Sequence, residues 1–120
     1  MNARARKLVA RRSRLLHKLA ALSLITHGSY LERYSTCARK SCSCHQGKKH
    51  GPRAYVVVYR DGRQHQVYVP KEQVAAIRKG VRQHGRALDL LRQVTDINLM
   101  LMREGLLEES LQIEEKGNQP

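Results

Sequence analysis

Apolar residues recur along the chain in two rhythms, and the changes of rhythm divide it into segments. Over residues 3–27, Leu8, Leu15, Leu19, Leu22 and Ile25 return at three-, four- and seven-residue steps, with cationic residues between them. That period predicts a helix with an apolar side and a basic side, stopped by Gly28. Tyr30–Tyr34 fits one further helical turn. From residue 54 the pattern changes to alternation: Ala54-Tyr-Val-Val-Val-Tyr-Arg60, then Asp61-Gly62, then Arg63-Gln-His-Gln-Val-Tyr-Val69. Asp-Gly between two alternating runs predicts a two-residue hairpin. Its register sets Val58 opposite His65, Val56 opposite Val67 and Ala54 opposite Val69 on a core face. Tyr55, Val57, Tyr59, Gln64, Gln66 and Tyr68 fall on the other face. Two strands alone are marginal, so the valine face requires a helix against it.

After Pro70 the helical period returns and runs over 71–115, through Val74, Ile77, Val81, Leu88, Leu91, Val94, Leu101 and Met102. An unbroken helix of that length would reach about 68 Å. That exceeds a compact chain of 120 residues, so the helix is expected to break, with Gly80 and Gly85 as weak points, or to extend onto a partner. Asn98, among apolar positions, either sets the register of a coiled coil or faces solvent. The expected fold is therefore α+β and a single small domain over 1–115. It comprises a basic N-terminal helix (3–27), a Cys/His loop (35–53), a β-hairpin (54–69) and a long C-terminal helix (71–115), with a disordered tail at 116–120.

Composition narrows the functional classes. The chain is 41% apolar and 28% charged, with five Tyr and no Phe or Trp, so its core must come from Leu, Val, Ile and Ala. No apolar run approaches the roughly 20 residues of a membrane span. A core this small rarely encloses both a substrate and a catalytic constellation, so an enzyme is not expected. The net charge is +13, and its placement is uneven: residues 1–60 hold 14 basic residues against the single acid Glu32, while 61–120 hold nine of each. A long stretch almost free of acids is the footprint of a polyanion binder. The first helix alone carries Arg4, Arg6, Lys7, Arg11, Arg12, Arg14 and Lys18. Antiparallel docking against the acidic C-terminal residues Glu104, Glu108, Glu109, Glu114 and Glu115 would neutralise part of that charge.

Residues 35–53 hold no aliphatic side chain larger than Ala38, so hydrophobic burial cannot order them. They do hold Cys37, Cys42, Cys44 and His50, a Cys₃His set suited to tetrahedral zinc. His45 is the alternative fourth ligand, although it adjoins Cys44. A disulfide would need an oxidising compartment, and three clustered cysteines do not form a secreted framework. A Cys–His nucleophile would lack a nearby acid to orient its base. Leu19–Ile25 is too short and sits too late to be the apolar region of a secretion signal, so a reducing cytoplasm is the expected setting. Arg39, Lys40, Lys48, Lys49 and Arg53 surround the cluster and suit phosphate contacts. On the outer hairpin face, Tyr55, Tyr59 and Tyr68 are placed to stack on bases, and Gln64 and Gln66 to read them. The alternative is that this face packs against another element or a second chain.

The run Cys37-Ala-Arg-Lys-Ser-Cys-Ser-Cys44, followed by His50-Gly-Pro52, the Tyr-rich hairpin and Val69-Pro70, resembles a family of small bacterial and archaeal proteins. Members pair a Cys-x4-Cys-x-Cys element with His-Gly-Pro-Tyr, a short hairpin and a helical tail. Arg53 stands here where the family has Tyr. The resemblance covers about residues 28–100 and implies an association with mobile elements. The expectation is a non-catalytic, zinc-stabilised accessory protein that binds DNA, or RNA, and dimerises through its long helix. The alternative is an adaptor that docks on a transposase or another nucleic-acid enzyme through that helix and the Tyr face.

Overall fold

The computed structural model describes residues 2–117, with side chains described as far as Ile113. Its elements are α1 (Ala3–Ala20), β1 (Ser29–Ser35), β2 (His50–Arg60), β3 (Arg63–Val69), α2 (Val74–Arg103) and α3 (Leu107–Gly117). The class is α+β, as expected. In place of one core there are two compact units, each with its own apolar cluster. One takes the chain up to Ser23 and from Gly85 onward; the other is Leu24–His84. Among the described residues no helix is long and apolar enough to cross a membrane.

The helical unit is built from α1, the second half of α2, and α3. Asn2 caps α1, its side chain accepting a 2.8 Å hydrogen bond from the Ala5 backbone N–H. Ala5, Val9 and Leu15 of α1 pack with Leu90, Ile97 and Leu101 of α2, all buried. The long helix expected over 71–115 breaks, though not at Gly80 or Gly85. It ends at Arg103, where Gly105 adopts φ 73°. The Leu106 N–H bonds to the Leu101 carbonyl at 2.8 Å, and the Gly105 N–H to that of Met102 at 3.0 Å. These paired bonds satisfy the last carbonyls of α2 and turn the chain into α3. The tail expected from residue 116 joins α3 as far as Gly117, and 118–120 lie outside the described residues.

Arg12 departs from its expected place among the surface cations. It is 4% exposed. Three residues after Val9, it shares the inner side of α1 with Ala5 and Val9. Its guanidinium donates to Asn98 Oδ1 at 2.8 Å, to Ser110 Oγ at 3.0 Å and to the Ser110 carbonyl at 3.3 Å. Asn98 thus has a partner within the chain. At the start of α1, Arg4 pairs with Glu104 at 2.8 Å, so the basic helix does meet an acid of the C-terminal region.

In the second unit the hairpin has the register read from the sequence, with Ala54 opposite Val69, Val56 opposite Val67 and Val58 opposite His65. Asp61 and Gly62, both at positive φ, form the turn. Residues 29–35 are a strand, not a helical turn. β1 pairs antiparallel with β2, setting Tyr30 beside Val56 and Leu31 beside Tyr55, so the sheet has three strands in the order β1-β2-β3. Pairing satisfies both backbones along this stretch, which a lone helical turn would leave half-bonded. The inner face, Ala54, Val56 and Val69 with Tyr30 and Val58, packs on Val74, Ile77 and Val81 of α2.

α1 stops at Ala20, well before the expected Gly28, because the following residues bond to α2 instead. The Leu24 N–H donates to Gln83 Oε1 at 2.8 Å and the Thr26 N–H to the Gly80 carbonyl at 3.0 Å. The His27 ring stacks on His84 with 4.2 Å between centroids. Gly80 allows this approach, since a Cβ there would collide with the Leu24 carbonyl and the Thr26 hydroxyl. The glycine that reads as a helix weakener is a contact surface.

The Arg12 network sets an expectation for stability. Arg12→Ala leaves a void and removes the donors facing Asn98 and Ser110, and should cost about 2–4 kcal/mol. Arg14→Ala, on the exposed side of the same helix, should cost less than about 0.5 kcal/mol. Urea unfolding followed by helical circular dichroism measures both. Equal losses would mean that the Arg12 bonds do not contribute.

Candidate metal centre

Between β1 and β2 the chain makes a short excursion that returns on itself. β1 runs out through an irregularity between Arg33 and Ser35, which places Ser35 opposite His50. Cys37 follows β1, Cys42 precedes a single 3₁₀ turn over Ser43–Gln46, Cys44 lies within it, and His50 opens β2. The turn is tied by backbone bonds from the Cys42 N–H to the Arg39 carbonyl (3.1 Å) and from the His45 N–H to the Cys42 carbonyl (3.2 Å). Gly51 fixes the re-entry of the chain at φ 132°, where a Cβ would come within 2.8 Å of the Arg33 carbonyl oxygen. The His-Gly-Pro run therefore positions its histidine through a backbone shape that a larger residue could not share.

The donor atoms of Cys37, Cys42, Cys44 and His50 all lie within 4.8 Å of one another and can hold a metal ion. Cys37 Sγ and Cys44 Sγ are 3.7 Å apart, and Cys42 Sγ and His50 Nε2 are 3.3 Å apart. A tetrahedral ion with metal–sulfur bonds of about 2.3 Å and a metal–nitrogen bond of about 2.0 Å separates its ligands by roughly 3.5–3.8 Å. These two pairs already stand near that spacing. His45 is engaged elsewhere, its Nε2 lying 3.0 Å from the Cys37 carbonyl oxygen. Of the two candidate histidines, His50 joins the cluster.

The surroundings favour thiolate at Cys42. The Cys44 backbone N–H, then the Cys44, Cys37 and His50 side chains, lower the Cys42 thiol from 9.0 to about 7. Burial pushes the Cys44 thiol up, against the Cys37 backbone N–H that donates to its sulfur at 3.3 Å. Cys44 is 2% exposed, which makes it the anchored member of the set, whereas His50 is exposed. Arg39, Lys40, Lys48 and Lys49 are exposed around the cluster.

The outer face of the sheet is open. By the strand pairing it carries Arg33 of β1 beside Arg53 of β2, Tyr55 beside Tyr68 of β3, Val57 beside Gln66, and Tyr59 beside Gln64. Tyr59 is 76% exposed and Tyr68 56%, while Val57 is buried among its neighbours. Tyr55, half-buried, meets Tyr68 edge-on with 6.0 Å between centroids. No acidic residue falls on this face: Glu32 lies on the opposite side, bonded by the Tyr30 hydroxyl at 2.8 Å, and Asp61 is in the turn. Arg33 was not among the expected contacts, because it becomes a face residue only once β1 is a strand. Tyr68 was legible from the alternation alone. On α1, Arg4, Lys7, Arg11, Arg14 and Lys18 are exposed at three- and four-residue steps and form a stripe along one side, and Arg6 is exposed apart from it.

Residues 5–79 match the model of a family described as a domain of unknown function (DUF6788). No curated protein and no solved structure matches the chain. The matched span takes in α1 from Ala5 onward, the whole sheet and the four donors.

The geometry separates the two histidines experimentally. Cys44→Ser and His50→Ala should each lower the metal content of freshly reduced protein from about one ion per chain to near zero, or weaken retention against a chelator at least tenfold. His45→Ala should leave it unchanged. Elemental analysis after chelator challenge reads the difference. Loss of metal in His45→Ala with retention in His50→Ala would exchange their assignments.

Proposed function

The chain belongs to the family described as domain of unknown function DUF6788, and from what its matched span carries we propose that it is a non-catalytic, zinc-stabilised nucleic-acid-binding accessory protein. The observation that carries this reading is the open sheet face. Tyr, Gln and Arg residues stand exposed there without a carboxylate, beside a cysteine cluster ringed by cations. Zinc suits three thiols and one imidazole, and needs no open coordination position in a structural role. Three thiolates bound to Zn²⁺ carry one net negative charge, which Arg39, Lys40, Lys48 and Lys49 offset. In this reading the metal orders a basic loop that has no apolar anchor, and the loop and sheet face together contact phosphates of DNA or RNA. The stripe on α1 is a second cationic surface. A reducing cytoplasm keeps the thiols available. The resemblance of the Cys-x4-Cys-x-Cys and His-Gly-Pro elements supports a setting in a mobile element.

The homodimer expected through the long helix rests on a different observation. Along α2 the apolar residues Leu88, Leu91, Leu99 and Met102 are exposed as two pairs, each three residues apart, with eight residues between the pairs; together they offer apolar surface of the kind paired helices cover. Such a surface is self-complementary, so the occupant on this reading is a second copy of the chain, and a larger nucleic-acid enzyme would dock elsewhere. Light scattering should then return about twice the monomer mass. A monomer at high concentration would remove this reading.

Binding should be dominated by phosphate neutralisation. If Arg33, Arg39, Lys40, Lys48, Lys49 and Arg53 contact about six phosphates, log affinity should fall with log salt at a slope near −5 on duplex DNA or near −4 on a single strand. Replacing Lys48 and Lys49 by Ala should flatten the slope by about two phosphates' worth. Replacing Lys7, Arg11 and Arg14 by Ala reports the share carried by α1. Metal analysis should identify zinc. Protein with its metal bound that shows no affinity for DNA or RNA at low salt would refute the proposal.

A further inference from the structure

The open sheet face has features that a duplex cannot use. We infer that it is a stacking platform for single-stranded nucleic acid, with unpaired bases lying on Tyr59 and Tyr68 and the backbone held by Arg33 and Arg53. This rests on the nucleic-acid reading above and narrows it to a class of ligand.

Three observations carry it. The first is aromatic exposure. Tyr59 and Tyr68 leave 76% and 56% of their surface open. An exposed ring gains most by meeting another π-face, and in a duplex those faces are already stacked on each other. The second is width. At the level of Tyr55 and Tyr68 the face is three strands across, because Leu31 of β1 lies beside Tyr55. At strand spacings of about 4.8 Å, β1 and β3 stand roughly 10 Å apart before side chains are added. A major groove about 12 Å wide admits a helix or a two-stranded ribbon. The two-stranded part beyond Val57 is only the hairpin tip, which carries Tyr59 and Gln64 but neither Tyr68 nor the arginines.

The third is order along the strands. Successive rows on this face are Tyr59 with Gln64, Val57 with Gln66, Tyr55 with Tyr68, and Arg53 with Arg33. Rows two residues apart along a strand are spaced by about 6.7 Å. From tip to base the surface thus runs from ring and amide, through amide, to ring, and ends in paired guanidiniums beside the basic loop. Tyr55 braces Tyr68 edge-on, so one stacking ring is held before any ligand arrives. A sheet-borne set of aromatics is suited to two or three bases. The Gln amides are placed to hydrogen-bond base edges, which are free in a single strand.

The test compares end-labelled ten-nucleotide oligo(dT), oligo(U) and a duplex of equal length, titrated with metal-replete full-length protein under one salt condition. Anisotropy should show at least tenfold tighter binding to one or both single strands. Equal affinity for the two would mean stacking without reading of the 2′-hydroxyl. Since the chain has no Trp, its emission comes from five Tyr, three of them on this face, and binding should quench it. Tyr59→Ala and Tyr68→Ala should each weaken single-strand binding roughly 5- to 100-fold without changing the salt slope. Tyr59→Phe should retain affinity, and metal content and helical circular dichroism should be unchanged in all three. Duplex binding as tight as single-strand binding, or alanine variants within twofold of the wild type, would overturn the inference and leave the broader reading standing. Failure to bind any of the three ligands would overturn both.

Discussion

From Thr36 to Lys49 the chain has no aliphatic side chain larger than Ala38, and only Cys44 is buried, yet the segment must join two neighbouring strands of one sheet. A connection of that length costs conformational entropy that hydrophobic contact cannot offset here. What remains is the convergence of three thiols and one imidazole, backed by amide donors and by the return of the chain at His50. The pairing of Ser35 with His50 closes the base of the same excursion. Chemistry at the cluster and geometry on the sheet are therefore one problem: the same strand that supplies His50 carries Arg53, Tyr55 and Tyr59 onward along the open face.

The sheet treats its two sides differently, and the alternation within β2 is the cause. Even-numbered positions, Ala54, Val56 and Val58, turn toward α2. Odd-numbered positions carry the aromatic and cationic groups outward, and Val57 alone among them is buried. A slip of one residue in pairing would exchange the sides, setting valines against solvent and tyrosines against the helix. The Asp61–Gly62 turn fixes that register at one end, and the Gly51 re-entry at the other.

Local signals were legible in the sequence, and signals that depend on distant partners were not. The hairpin followed from Asp61-Gly62 and the alternation around it, and the four donors from their residue types and proximity along the chain. β1 was hidden, since Ser29–Ser35 is short, has no turn signal of its own, and becomes a strand by pairing with residues about twenty positions away. The end of α1 is hidden for a similar reason: Leu24 and Thr26 find their partners on α2. Gly80, Gly85 and Gly105 look alike as interruptions of a periodic run. Gly105 is followed at once by two leucines, a terminator's context, whereas Gly80 is buried under the chain that crosses it. Arg12 is one more cation by composition, and only its helical phase, shared with Ala5 and Val9, sets it inside.

That buried guanidinium bears on how the helical unit responds to heat. Removing a cation from water is costly at room temperature, but the cost shrinks on warming as ionic hydration becomes less favourable. Burial of leucine and isoleucine does not strengthen in the same way. The bonds from Arg12 to Asn98 and Ser110 therefore count for relatively more in the helical unit at elevated temperature than at room temperature.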